Sequence, residues 1–314
     1  MKKLAPAKKR TGLKKLAGLA VGLFLAFTAG ASAQQEARGT LGEILKAKKI
    51  VIMNDLSAAP WQFRDANGNA AGMSIDLNRL IAAKLDVDLE MRNVEWAGLI
   101  PALLTRKSDI LATTMSTTFR RAQQILFTRE SWYSTGIVAI VRPDDKEKSW
   151  DELNQPGKRL AVKAGTNAVD AAKQFFSKAE LQTYPNDVDT YQALKTGRVD
   201  AILNDLAVLG VVSAEYGFEP LSKPRQLITQ DTWGLAVRPG DVYTWQYLDF
   251  FLTKIRESGE LDALKKYWVD GETWKADFLQ KNNGVSDERK QLVELLGIGA
   301  YTQDSGDGSR MKLQ

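Results

Sequence analysis

Arg121 closes a run of hydroxyl side chains, Thr114, Ser116 and Thr118, in a loop that reads A-T-T-M-S-T-T-F-R-R over residues 112–121. A guanidinium presents a planar fork of donors to a carboxylate, a geometry lysine does not reproduce. Thr114 and Ser116 stand two apart, so in an extended loop their hydroxyls face the same way. A lone arginine is ordinarily a solvated surface group, and loop hydroxyls ordinarily cap turns. This loop, however, directly follows a short apolar strand, and in α/β folds ligands bind beyond the carboxyl ends of strands. The expected chemistry is capture of an anionic group.

A second anion site needs no charged side chain. Val162-Lys163-Ala164-Gly165-Thr166-Asn167 reads as a strand end, a glycine turn and a helix start, and the first amides of a helix are unpaired and aligned. Lys163 stands before that turn, either as a strand-edge surface lysine or as a donor into a cleft. An apolar strand, Ala201–Leu203, leads to Asp205 at a helix start, where the simplest role is an N-cap; Asp200 caps or braces the preceding turn. Asp55 follows the first strand. Trp61, just after Pro60, either packs or covers a ligand.

Composition narrows the chemistry. The chain has no cysteine and no histidine, which excludes a disulfide framework, a thiolate nucleophile, a lipid-modified cysteine, Ser-His-Asp catalysis and most zinc sites. No catalytic residue, cofactor or metal is expected. Residues 1–33 have the layout of a secretory signal: a basic start, an apolar run from Leu16 to about Ala29, and Ala31-Ser32-Ala33 as a small-residue cleavage site. Seven of the 43 lysines and arginines lie in that segment, so 36 face 38 acidic side chains beyond it. The exported chain is therefore near −2, and nucleic acid is not an expected partner.

The elements that must carry these groups alternate. Strands are expected at Ile50–Met53, Leu89–Val94, Gly136–Val141, Leu160–Lys163, Ala201–Leu203 and Gly234–Val237. Helices are expected from Ser74, as a cap, through Leu85, and over Gly98–Arg106, Val188–Thr196, Asp205–Tyr216, Val242–Ile255 and Leu261–Trp268. Asp55–Gly72 is turn-rich and reads as a loop or hairpin. Trp245, Tyr247, Phe250, Phe251, Tyr267 and Trp268 read as core of the closing helices, and the tail after about Gly284, polar at its end (Gln303–Gly308), as frayed. The fold class is α/β.

These motifs stand in the order seen in family 3 of the bacterial solute-binding proteins, the amino-acid receptors of ABC importers, which the chain resembles over roughly Lys49–Gly271. Ser116, Thr118 and Arg121 match its S-x-T-x-x-R, Gly165-Thr166-Asn167 its G-T-[TN], and Gly197–Asp205 its G-R-x-D-A-x-x-x-D. Trp96–Leu103 matches W-x-x-L-I-P-A-L, and Trp96 is expected to support the cleft. The resemblance implies a type II periplasmic binding protein with two α/β lobes joined by two crossings. The implied lobes are 40–138 with 233–284, and 139–232 inserted, leaving 285–314 as a C-terminal extension. It implies Arg121, Ser116, Thr114 and Thr166 on a ligand carboxylate or ammonium, Asp205 on the α-ammonium, and Asp55 lining the pocket. V-K-A-G-T is similar to glutamine-binding members, in which lysine helps hold the side-chain amide; that implies a role for Lys163 and a polar ligand, glutamine first. Ala58 replaces an aromatic ring usual in the family, leaving Trp61 to compensate, and Ser74 replaces an acidic residue outside the cleft. The implied protein is a periplasmic monomer, not lipid-anchored, that hands an amino acid to an inner-membrane permease. The alternatives are a cyclohexadienyl-dehydratase-like enzyme on the same scaffold, using Asp55 or Lys163 as acid or base, and the sensor domain of a receptor.

Overall fold

The computed structural model describes residues 39–221, 223–224, 226–281 and 284–299. The secretory-signal segment 1–33 and the polar end Gln303–Gly308 lie outside them. Helix α1 (Gly39–Ala47) leads into β1 (Lys49–Asn54), then three short strands, β2 (Ser57–Ala58), β3 (Gln62–Arg64) and β4 (Ala70–Ala71), α2 (Met73–Leu85) and β5 (Asp88–Asn93). β1 pairs in parallel with β5, with Lys49 opposite Asp88. On its other side Ile52 bridges Ile110, and Leu111 bridges Ala236. The turn-rich stretch is thus a three-stranded antiparallel sheet where a loop or hairpin was expected. Ser74 does not cap α2. Gly72 holds that position, and the Ser74 hydroxyl donates to the Trp61 carbonyl and to Gln62 Oε1.

After α3 (Leu99–Leu104) and the single turn α4 (Phe119–Ala122), the long strand β6 (Leu126–Thr135) runs up to β7 (Ile137–Val141) through Gly136. β7 is buried along its whole length, as a near-continuous apolar strand inside a covered sheet must be. With β8 (Arg159–Lys163), β9 (Glu180–Tyr184), β10 (Ala201–Asp205) and β11 (Glu219–Leu221) it forms a second sheet, ordered β11-β7-β10-β8-β9. Helices α5 (Asn167–Phe175), α6 (Asp187–Lys195) and α7 (Leu209–Tyr216) cover it. The chain returns through β12 (Asp231–Val237), antiparallel to β6, and ends in α8 (Val242–Glu257), α9 (Glu260–Lys265), α10 (Thr273–Leu279) and α11 (Asp287–Leu296). The part built on β1 to β6 and β12, here called the first lobe, and the five-stranded sheet with its helices, here called the second lobe, are thus joined by two crossings of the chain.

At the crossing the two segments touch through Gly136. A Cβ there would meet the Thr229 carbonyl oxygen at 2.0 Å, while Ile137 N–H donates to Thr229 Oγ1. Replacing Gly136 by alanine is expected to lower unfolding free energy by about 1–3 kcal/mol through overpacking against backbone. Urea unfolding of the variant beside the parent checks this; equal midpoints would show that the crossing yields freely.

The largest buried cluster extends from Leu41 to Ile298 and includes Trp61, Trp132, Trp233, Trp268, Leu292 and Leu296. Phe251, Tyr267 and Trp268 are core, but Phe250 is 56% exposed on the outer face of α8. The chain does not fray at Gly284: Ser286 caps α11 by accepting from Arg289 N–H, Gly297 ends it in the left-handed conformation, and its apolar face joins the first-lobe core. No helix among the described residues is long and apolar enough to cross a membrane.

Candidate functional site

The two lobes meet in a lined cleft. On the first-lobe wall, Thr118 caps α4 by accepting from Arg121 N–H at 3.3 Å. This turn folds the Arg121 guanidinium back beneath the loop, where it donates to the Ser116 carbonyl at 2.9 Å and, across the cleft, to the Gly165 carbonyl at 3.1 Å. Arg121 is 6% exposed and Ser116 1%. Burial pushes the guanidinium down to about 10, countered first by the negative charge of Asp205, so it stays charged at neutral pH. Thr114 accepts from Gln62 Nε2 at 2.8 Å, and Gln62 in turn accepts from Ser74. Ser74, which the sequence places outside the cleft, therefore orients Thr114 through Gln62.

On the second-lobe wall, Gly165 has φ +76°, and a Cβ there would stand 3.1 Å from Ala97 of the first lobe. The glycine lets the two walls approach. Trp96 adds an indole N–H to the same Gly165 carbonyl at 3.2 Å. Thr166 turns its hydroxyl back to the Lys163 carbonyl at 2.7 Å, and its own N–H also faces that carbonyl at 3.3 Å. The anion-binding capacity of this turn thus rests on the first amides of α5. Asn167 donates to Asp231 Oδ2 at 3.0 Å, which also accepts from Thr229 at 2.6 Å.

Asp205 ends β10 without capping the helix that follows. Its Oδ1 is shut off from solvent without a well-formed hydrogen bond among the described residues, and the hydroxyl of Thr135, 9% exposed, is the nearby donor that favours its ionised form. Burial first, then repulsion from Asp231, push the Asp205 carboxyl up to about 7; Arg121 pulls the other way, and Asp187 adds to the repulsion. Asp200 braces its turn by accepting from the Arg159 backbone and guanidinium.

Lys163 is buried, and its ammonium meets Asp55 Oδ2 at 2.9 Å, Asp187 Oδ2 at 2.5 Å and Ser57 Oγ at 3.3 Å. Burial alone would lower its pKa; Asp187 first and then Asp55 outweigh that and hold it above the ordinary lysine value. Asp55 and Ser57 belong to the first lobe and Lys163 and Asp187 to the second, so the cluster ties the walls together. Trp61 is fully buried among Trp132, Tyr133 and Trp233, with its indole N–H on the Ala207 carbonyl of the second lobe at 3.1 Å.

The structure brings Arg121, Ser116, Lys163, Asp55, Thr166, Asn167 and Asp205 to one interlobe region. Reading the sequence missed Asp187, Asp231 and Ser57. Asp187 hides as the first residue of α6, after Asn186, where an acidic residue is ordinary helix-start chemistry. A cavity of about 420 Å³ opens along the seam, lined in part by Trp96, Met115, Arg121, Gly165 and Thr166. A larger hollow of about 940 Å³ lies elsewhere on the first lobe beside Glu43, Arg106 and Arg238. There Arg106 pairs with Glu43, and Arg238 is held by Thr40 and two carbonyls.

The L-cystine-binding protein TcyJ of Escherichia coli K12 is 25% identical over 255 residues, 80% of this chain and 94% of that protein. The ABC transporter glutamine-binding protein GlnH of Bacillus subtilis is 25% identical over 245 residues, 76% of this chain and 88% of its own. Among solved structures, the ancestral amino acid-binding protein AncCDT-1, a precursor of cyclohexadienyl dehydratase, is 31% identical, with a TM-score of 0.69 over 73% of this chain and 99% of its own. The architecture is that of the type II periplasmic binding proteins, and the named curated relatives are binding proteins, not enzymes. A family model for bacterial extracellular solute-binding proteins, family 3, matches residues 50–271, which carry both walls of the cleft, and the chain belongs to that family.

Proposed function

We propose that the chain is the periplasmic receptor of an ABC importer, capturing one amino acid between its lobes and presenting it to an inner-membrane permease. One observation carries this reading. Arg121 of the first lobe and Asp205 of the second are opposite charges that act on each other in the cleft, yet neither makes an ion pair among the described residues. Burying a charge without a partner is costly, and a zwitterion supplies a partner to each. Arg121 and the α5 amides take the carboxylate, with Ser116 and Thr114 beside them; Asp205 takes the ammonium. Because the two groups stand on opposite lobes, a ligand that holds both stabilises the closed form, which the permease reads. In this reading residues 1–33 are the export signal and the receptor works in the periplasm as a monomer. The inserted lobe is read as 139–232 and the first lobe as 40–138 with 233–284, to which α11 adds its apolar face. The V-K-A-G-T motif points first to glutamine among polar ligands; the hydrogen-bond donors of Lys163 point elsewhere, as argued below.

The pH dependence of binding tests the assignment. Below the raised Asp205 value of about 7, the unliganded carboxyl carries a proton that an incoming ammonium must displace. Affinity is expected to rise by up to roughly tenfold per pH unit from about pH 5 to about pH 7 and to level off above. The same shift means that ionising Asp205 weakens the unliganded fold as pH climbs from about 4 toward 7, so ligand stabilisation is larger at pH 8 than at pH 5. Calorimetry against the protein amino acids at three pH values reads both. A flat affinity profile removes Asp205 from the ammonium site, and no binding of any amino acid removes the function.

A further inference from the structure

The end of the cleft around Lys163 is rich in acceptors and short of donors. An ammonium has three N–H donors, and those of Lys163 are engaged by Asp55, Asp187 and Ser57. None remains for the side-chain carbonyl of glutamine or the carboxylate of glutamate. The carboxylates are not similarly saturated. Among the described residues Asp187 Oδ2 takes Lys163 and Ser57, and its Oδ1 takes the Asn204 amide at 3.0 Å; Asp55 takes Lys163 through one oxygen.

The charge balance points the same way. Asp55, Asp187, Asp205 and Asp231 face Arg121 and Lys163, while the neighbouring Arg120 and Asp170 pair with each other. A zwitterion adds no net charge and leaves that excess in place. The excess is felt at Asp205, whose ionisation both Asp231 and Asp187 oppose, and the Trp96 ring 5.0 Å from the Lys163 ammonium helps hold that counter-cation in place.

We propose that Asp187, together with Asp55, makes this end of the cleft a carboxylate pocket that selects an amino acid with a cationic side chain, with Lys163 as the protein's own counter-cation rather than a donor to the ligand. The selection rests on the amino-acid reading above and narrows it. Asp187 is the specificity residue: it sits on the second lobe, acts on the ligand side chain by charge, and with Asp55 more than offsets the positive charge of Lys163.

Calorimetry with L-arginine, L-lysine, L-glutamine and L-glutamate on the full exported chain tests this. Arginine or lysine is expected to bind at least roughly tenfold more tightly than glutamine, and glutamate most weakly, the scale of one charge a few ångströms away in a partly dry site. Asp187→Asn is expected to narrow the arginine-to-glutamine ratio about 10-fold or more, and Lys163→Met to widen it. Glutamine or glutamate binding most tightly to the parent, or a ratio unchanged in Asp187→Asn, overturns the proposal. If Asp187→Asn does not fold by thermal unfolding, Asp55→Asn carries the same expectation. Absence of binding by all four ligands, and by the remaining amino acids, to a folded parent defeats the receptor reading itself, a result distinct from a wrong order of preference.

Discussion

Replacing Arg121 by alanine is expected to weaken amino-acid binding by about 2–5 kcal/mol, the usual cost of removing one partner from a desolvated charge pair. The side chain is 6% exposed, and its only described hydrogen bonds go to the Ser116 and Gly165 carbonyls, so an incoming carboxylate gains a cation that already stands without a carboxylate partner. Arg121→Lys retains the charge but not the planar fork, and its loss is expected to lie between those of the parent and the alanine variant. Because the Gly165 bond spans the cleft, the alanine variant also loses a direct link between the lobes. Thermal unfolding of the unliganded variant separates that contribution, since a fold that holds while affinity collapses assigns the loss to the ligand. Calorimetric affinity equal to the parent's, on a folded variant, would remove Arg121 from the site.

The sequence exposes the groups of this site better than their engagements. Arg121, Asp205 and the Gly165 turn are legible because local rules place them: strand ends, a glycine turn and a helix start put side chains on one rim. Their partners are not local. Lys163 reads as a donor to a ligand because nothing in V-K-A-G-T shows that Asp55, 108 residues away, and Asp187, 24 away, converge on it. Trp61 reads from its place after Pro60 either as packing or as a pocket roof, and only the fold shows three aromatic rings from β6 and β12 around it. β6 itself escapes notice because it is wet on part of its length and broken in register opposite Trp233 and Gly234, which blurs the alternation on which strand reading depends.

The C-terminal helix supplies the other large expected effect. Asp76 of α2 is fully buried and holds Arg79 at 2.9 Å, the Trp268 indole at 2.8 Å and both terminal nitrogens of Arg289 from α11, one of them at 2.9 Å. The Arg289 guanidinium also lies 5.3 to 5.7 Å from the rings of Phe278, Tyr267 and Trp268. Burial alone would raise the Asp76 carboxyl; the charge and hydrogen bonds of Arg289, with Arg79, outweigh it and hold it below the usual aspartate value. Arg289→Ala is expected to cost about 3–5 kcal/mol of unfolding free energy, because it strands part of a buried charge network. A residue 18 positions past the matched family region would then be part of the first-lobe core rather than an appendage. The depressed Asp76 value means that its contribution is present above the unfolded aspartate pKa and is lost as pH falls through the folded one. The variant's deficit in urea unfolding should therefore shrink in acid relative to neutral pH. A variant as stable as the parent at neutral pH would show that α11 rests on the lobe without holding it.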